Sequence, residues 1–154
     1  MRREKLKVVM PPAEAARPGQ FVLDDQYGFL LRVASQRLTA IFHARMIEGL
    51  TQTQFAALAK LQEVGPCSQN HLGRLICLDA ATIKGVVDRL VVRGFVTALN
   101  DPNDRRRRAV ALTDRGDLVT QAATFVATEI TETSMASFTA EERRTLAGLL
   151  KKIG

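Results

Sequence analysis

Four consecutive arginines, Arg105 to Arg108, follow Asp101-Pro102-Asn103-Asp104 and stand between two strand-like runs, Phe95-Val96-Thr97-Ala98-Leu99 and Ala109-Val110-Ala111-Leu112. Guanidinium groups bind phosphates and guanine edges through paired, charge-assisted hydrogen bonds, so this cluster suits a nucleic acid. The residues before it carry turn chemistry. Proline pre-sets the first corner, and the Asn and Asp side chains close the turn. The segment is therefore expected to form a hairpin with arginines at its narrow tip. Side chains alternate along a strand, which places Arg106 and Arg108 on one side and Arg105 and Arg107 on the other. Arg106 is the expected groove residue, entering a minor groove whose negative potential is deepest where A·T-rich sequence narrows it, while its neighbours bind phosphates. Asp104 is expected to hold one arginine in a fixed pose through a bidentate pair.

Two short amphipathic helix patterns precede the hairpin and must position it. Ser68 can cap the first of them, with Leu72, Leu75 and Ile76 turned inward, and His71 is expected to pack at its start. Cys77-Leu78 make a short turn, and Asp79 can cap the next helix, whose inner side is Ile83, Val86 or Val87, Leu90 and Val91. Ala81, Thr82, Lys84, Gly85, Asp88 and Arg89 then face outward, near the half of the helix that a recognition helix inserts into the major groove. Thr82 can donate or accept at a base edge, Lys84 can reach a guanine or a phosphate, and Gly85 lets the helix backbone approach closely. Asp88 and Arg89 can also pair with neighbours to hold orientation. Ser68, Gln69 and Asn70 complete the expected contacts. Two helices followed by a basic hairpin define a winged helix-turn-helix, and the expected fold class is mainly α with a small β-hairpin wing (α+β).

Outside this lobe, residues 1–19 mix Arg2, Arg3, Lys5 and Lys7 with three prolines, which suits a flexible basic arm. From Asp24, Tyr27, Leu30, Leu31, Ala34, Leu38, Ile41 and Phe42 recur at helical spacing and predict a helix to about Met46. Thr51 and Gln54 form a capping box for the next, with Phe55, Leu58, Leu61 and Val64 as its stripe and Gly65-Pro66 as its stop. Thr113 starts a long helix with Leu118, Ala122, Phe125, Val126 and Ile130 on one face. Thr139 and Glu142 form a second capping box before Leu146, Leu149, Leu150 and Ile153. The last two stripes have little core of their own to cover, so burial against a second copy by isologous contact is expected. The division is a single domain over 20–154, with 20–47 and 117–154 as a helical dimerisation region and 48–116 as the DNA-binding lobe.

Composition narrows the function classes. At 154 residues, 46% of them hydrophobic and 25% charged, the chain can build one compact core, and its net charge of +6 favours a polyanionic partner. Two cysteines, Cys67 and Cys77, are too few for a disulfide framework and have no His pair at ligand spacing, so no metal site is expected. Cys77 is read as a small core residue. No apolar run approaches the roughly 18 residues a membrane span requires, and the chain reads as cytoplasmic. The two histidines have no acidic partner at motif spacing and offer no catalytic constellation, so neither an enzyme nor a cofactor is expected. Besides a sequence-specific DNA-binding regulator, two readings stay open: a constitutive architectural DNA binder, and a repressor that senses oxidants through Cys67 and Cys77.

Asp88-Arg89-Leu90, Arg93-Gly94-Phe95-Val96, Asp101-Pro102, Asp104-Arg105-Arg106 and Leu112-Thr113 with Gly116 together resemble the MarR (multiple antibiotic resistance regulator) family of bacterial transcription factors, over about Asp24 to Lys152. The resemblance implies a homodimer whose first and last two helices form the interface, leaving one winged lobe on each side to read a half-site of double-stranded operator DNA. Gly85 departs from the pattern, since a larger DNA-contacting side chain is common there. Family members often answer to aromatic carboxylates, phenols or aryl-CoA thioesters. On the first helix Arg32, Gln36, Thr39 and His43 form a polar line that, with Phe42 and Phe55, would suit such a ligand.

Overall fold

The computed structural model describes residues 21–100 and 108–153. The chain divides into two compact units, the first ending at Ala34 and the second beginning at Ser35. The described part of the first unit holds a 3-10 turn at Leu23–Asp25 and the opening turns of helix α1 (Tyr27–Arg45). Here Phe21, Leu23 and Tyr27 lie exposed, and the Arg32 guanidinium sits 5.0 Å from the centre of the Phe29 ring.

The second unit continues α1 and adds a 3-10 turn (Ile47–Gly49), α2 (Gln52–Val64), β1 (Cys67–Ser68), α3 (Gln69–Leu75), α4 (Ala80–Val92), β2 (Val96–Asn100), β3 (Arg108–Leu112), α5 (Asp114–Ser134) and α6 (Ala140–Leu150). The three strands form one antiparallel sheet in the order β1-β3-β2, with Cys67 opposite Val110 and Val96 opposite Leu112. The two wing strands pair as expected, the first displaced by one residue and the second starting one residue earlier. The two-residue strand β1 was not anticipated. No helix among the described residues is long and apolar enough to cross a membrane.

Helix boundaries follow local chemistry. Thr51 and Gln54 close a capping box on α2, and Thr139 and Glu142 close another on α6. In the latter, bonds from the Thr139 amide and hydroxyl hold the Glu142 carboxyl below its usual range. Ser68, Asp79 and Thr113 cap α3, α4 and α5 by accepting from the third amide of each helix. Gly65 ends α2 at φ 77°, a conformation that favours glycine.

The core gathers Leu50, Leu58, Leu72, Ile83, Leu90 and Phe95, all fully buried, and α5 closes it with Ala123 and Ile130. Thr120 is also fully buried, its hydroxyl donating to the Gly116 carbonyl at 2.6 Å, so a polar side chain enters the core with its bond made. Several expected core positions lie outside it. Val64, Leu75 and Val91 are exposed because each sits at the edge of its helix's apolar stripe, where the packed neighbours end. Leu118, Ala122 and Phe125 are exposed while Ile130 is buried, so the stripe expected on α5 divides into an inward and an outward face. Helix α6 has no buried residue at all.

Candidate nucleic-acid interface

The turn between α3 and α4 is tight. The Leu78 amide donates to the Gly73 carbonyl at 2.8 Å, and a Cβ on Gly73 would lie 3.1 Å from both Ile83 and the Leu78 carbonyl. Cys77 makes the turn with φ at 55°, a left-handed conformation uncommon outside glycine. It is exposed, which corrects its assignment as a core residue: a side chain carried on a left-handed turn points away from the packed helices. His71 is exposed too, its Nδ1 lying 3.4 Å from an Arg74 guanidinium nitrogen, rather than packed at the start of α3. Cys67 is half-buried, and burial pushes its thiol pKa up.

Helix α4 presents two faces of opposite character. Ile83, Val86, Val87 and Leu90 are buried. Thr82, Lys84, Asp88 and Arg89 are exposed on the other side, with Gly85 partly covered. The Asp79 carboxylate accepts from the Thr82 amide at 2.8 Å and from its hydroxyl at 2.6 Å, and these bonds, the hydroxyl's foremost, hold its pKa below the usual carboxylate range. Lys84 pairs with Asp88 at 2.6 Å. Arg89 makes no hydrogen bond or ion pair among the described residues, and its guanidinium lies over Gly85, with Nη1 3.6 Å from where a Cβ would stand. Ser68 spends its hydroxyl oxygen capping α3, accepting from the His71 amide at 3.2 Å. Asn70 is exposed. Gln69, Asp88, Val91, Val92, Ala98 and Ala109 line a groove of about 440 Å³ between α4 and the wing.

The wing strands place Asn100 opposite Arg108 at the edge of the tip. Asp104, Arg105, Arg106 and Arg107, with the expected Asp104 pairing and the Arg106 groove contact, lie outside the described residues, and of Arg108 the backbone alone is described. At the other end of the hairpin is a cluster whose roles sequence reasoning missed. Arg93 and Arg115 lie 4.6 and 5.0 Å from the Phe95 ring centre, Arg93 donates to the Glu48 carbonyl, and the Glu48 carboxylate lies 3.5 Å from Arg93 and 4.0 Å from Arg115. Arg93-Gly94-Phe95 was a legible motif, but nothing local tied it to Glu48, 45 residues away.

Of the expected ligand line, Gln36 and His43 are exposed, and Thr39 donates its hydroxyl to the Gln52 amide oxygen at 3.2 Å. Phe42 is buried in the core rather than forming an open wall. Its ring centre lies 6.0 Å from that of Phe55 and 6.1 Å, edge-on, from that of His43. Arg32 belongs to the first unit, over Phe29. Among the described residues no group of three or more His, Cys, Asp or Glu side chains could hold a metal ion.

A capped α3-turn-α4 unit with a polar outer face beside a hairpin is a DNA-reading architecture, and known proteins of the same build are recognisable relatives. The MarR family model matches residues 50–107. The HTH-type transcriptional repressor NicR of Pseudomonas putida is 42% identical over 130 residues, covering 84% of this chain and 82% of its own. A probable transcriptional regulator from Pseudomonas aeruginosa superposes with a TM-score of 0.84 at 48% identity, covering 86% of this chain and all of its own. BpsR of Bordetella bronchiseptica, solved to explain how 6-hydroxynicotinic acid regulates its DNA binding, superposes with a TM-score of 0.83 at 34% identity, covering 88% and 97%. Shared fold, shared motifs and this extent of identity make the chain a member of the MarR family of transcriptional regulators.

Proposed function

We propose that the protein is a cytoplasmic homodimeric repressor that occupies a pseudo-palindromic operator and leaves it when a small aromatic carboxylate binds. The observation that carries this reading is α4 itself, capped by Asp79, with its apolar face buried and its polar face exposed beside the wing. In this reading 48–116 read the DNA, 20–47 and 117–154 pair with the second copy, and 1–19 act as a basic arm. The outward face of α5, with Leu118 67% and Phe125 68% exposed, and the unburied α6, with Ile153 beyond its end, supply apolar surface of the kind a second copy covers. Two lobes then meet half-sites about one helical turn, roughly 34–36 Å, apart.

The effector class is supported by the similarity to BpsR, whose DNA binding is regulated by 6-hydroxynicotinic acid. A hydroxylated pyridine carboxylate is therefore the first candidate, with Thr39, His43, Phe55 and the edge of Phe42 as contacts in the second unit. Release requires the ligand to favour a form whose recognition helices no longer match successive grooves, and the loss of operator affinity is bounded by its differential affinity for the two forms.

The test is a fluorescence-anisotropy titration of the full chain against the DNA upstream of its own gene, in graded salt and with unrelated competitor, with and without 6-hydroxynicotinic acid. Binding that survives competitor and falls on adding the acid is expected. Binding lost to competitor, with a steep salt slope and no response to the acid, overturns the reading in favour of an architectural role.

A further inference from the structure

Among the side chains expected to meet DNA on α4, most are already engaged within the protein. Lys84 is held by Asp88 at 2.6 Å, and the Thr82 hydroxyl donates to Asp79 at 2.6 Å. Arg89 differs. It is exposed, and among the described residues it has no hydrogen-bond or ion-pair partner. Its guanidinium is nonetheless placed, because Nη1, Nη2 and Cζ lie 3.6, 3.8 and 4.0 Å from the position a Cβ on Gly85 would take. Long side chains on a helix lean toward its N-terminus over the preceding turn, and Gly85 is one turn before Arg89. The notch left by the missing side chain is thus filled by an arginine head from the next turn. A residue much larger than alanine at 85 would claim the same space.

We infer that Arg89, seated over Gly85, is the base-reading side chain of α4 and selects guanine in the operator half-site. The placement carries the guanidinium toward the N-terminal half of the helix, the part that enters a major groove. A guanidinium presents two parallel donors in a rigid fork, which match the O6 and N7 acceptors of guanine and no other base edge so well. Asp88 is the nearest carboxylate in sequence and is engaged by Lys84, so among the described residues no carboxylate pairs with Arg89. Glycine at 85 consequently relocates base readout by one turn and does not abolish it.

This inference rests on the operator-binding reading, and one experiment separates the two. Sites are selected from a randomised duplex pool by the full chain as wild type, Arg89→Ala, Arg89→Lys and Gly85→Gln, each first shown to unfold cooperatively near the wild-type temperature. The wild type is expected to enrich a symmetric site with guanine at one position of each half. Arg89→Ala and Arg89→Lys should lose discrimination at that position by roughly ten-fold or more while the other positions keep theirs. Gly85→Gln, which displaces the guanidinium, should change the base preferred there. Unaltered preference in both Arg89 variants overturns the assignment. So does a uniform loss across all sequences with a salt slope lowered by about one, which marks a phosphate contact. A wild type that enriches no sequence overturns the operator-binding reading itself, and does so before any variant is compared.

Discussion

Gly116, the third residue of α5, lies directly against the carbonyl of Phe95. A Cβ at 116 would overlap that oxygen and come within 2.8 Å of the carbonyl carbon and 3.1 Å of the Phe95 Cα. The surrounding bonds show why the approach is so close. The Thr113 amide donates to the Phe95 carbonyl at 3.1 Å, its hydroxyl donates to the Gly94 carbonyl at 2.7 Å, and the same hydroxyl oxygen accepts from the Gly116 amide at 3.0 Å. One threonine both caps the long helix and ties it to the two residues that lead into β2, leaving room for a hydrogen alone on Gly116. The obstacle is backbone, which cannot rotate aside. Gly116→Ala is therefore expected to destabilise the fold by about 1–3 kcal/mol, the range for overpacking a buried site. Denaturant unfolding checks it, and a midpoint equal to wild type would show that strand and helix can separate at no cost.

The cluster at the base of the wing makes a second prediction about unequal partners. Arg93 donates to the Glu48 backbone carbonyl, faces its carboxylate at 3.5 Å and covers Phe95, so its removal strips three interactions at a largely covered position. Removing the Glu48 carboxylate deletes only two partly exposed ion pairs, the second at the 4.0 Å limit, of a kind worth about 0–1 kcal/mol. Arg93→Ala is expected to cost about 1–2 kcal/mol, from a cation–π contact and a hydrogen bond, and Glu48→Ala less than half of that. Equal losses in the two variants would refute the arrangement.

What could be read from the residues alone divides along a physical line. Every cap named from sequence is present, from Thr51 to Thr139, because a cap joins positions three residues apart and depends on nothing distant. The wing strands were legible for the same reason, being short apolar runs around one turn. Which residue at the edge of a stripe is covered depends on where the neighbouring element stops, and this misplaced Val64, Leu75 and Val91. Strand β1 is two residues long, below any periodicity, and exists because Cys67 and Ser68 lie beside β3. On α4 the residue types pointed to DNA, but whether Asp88 engages Lys84 or Arg89 is decided by side-chain geometry that spacing leaves open, since both lie on the same exposed face.

Cys77 allows a test of turn strain and thiol access together. A left-handed conformation costs a non-glycine residue roughly 1–2 kcal/mol, while glycine costs about as much through the freedom it adds to the unfolded chain. Cys77→Gly is thus expected to leave stability within about 0.5 kcal/mol of wild type, and Cys77→Val, branched at Cβ, to lose more than about 1 kcal/mol. In the native protein iodoacetamide should modify Cys77 well before Cys67, whose thiol is partly covered and raised in pKa by burial. Peptide mass mapping after brief alkylation reads the order, and faster reaction at Cys67 would contradict both the exposure and the direction of that shift.

The Asp79 cap makes α4 sensitive to acid in a definite direction. Its carboxylate is stabilised by the Thr82 hydroxyl and amide, so its pKa in the folded protein lies below that in the unfolded chain. The unfolded state then takes up a proton more readily as the medium is acidified. Stability from this group is complete above the unfolded value, about 3.9, and is lost as pH falls through the folded one. Asparagine keeps a capping acceptor but cannot titrate. The difference in unfolding free energy between wild type and Asp79→Asn should therefore be constant from pH 7 to about 5 and shift against the wild type below about 4. Other carboxylates titrate in both proteins and cancel in that difference. With Arg89 of α4 as the proposed base-reading residue, operator binding by the wild type should weaken over the same interval more than binding by Asp79→Asn. Parallel stability curves down to pH 3 would mean that the bonds from Thr82 hold no more strongly to the charged carboxylate than to the protonated one.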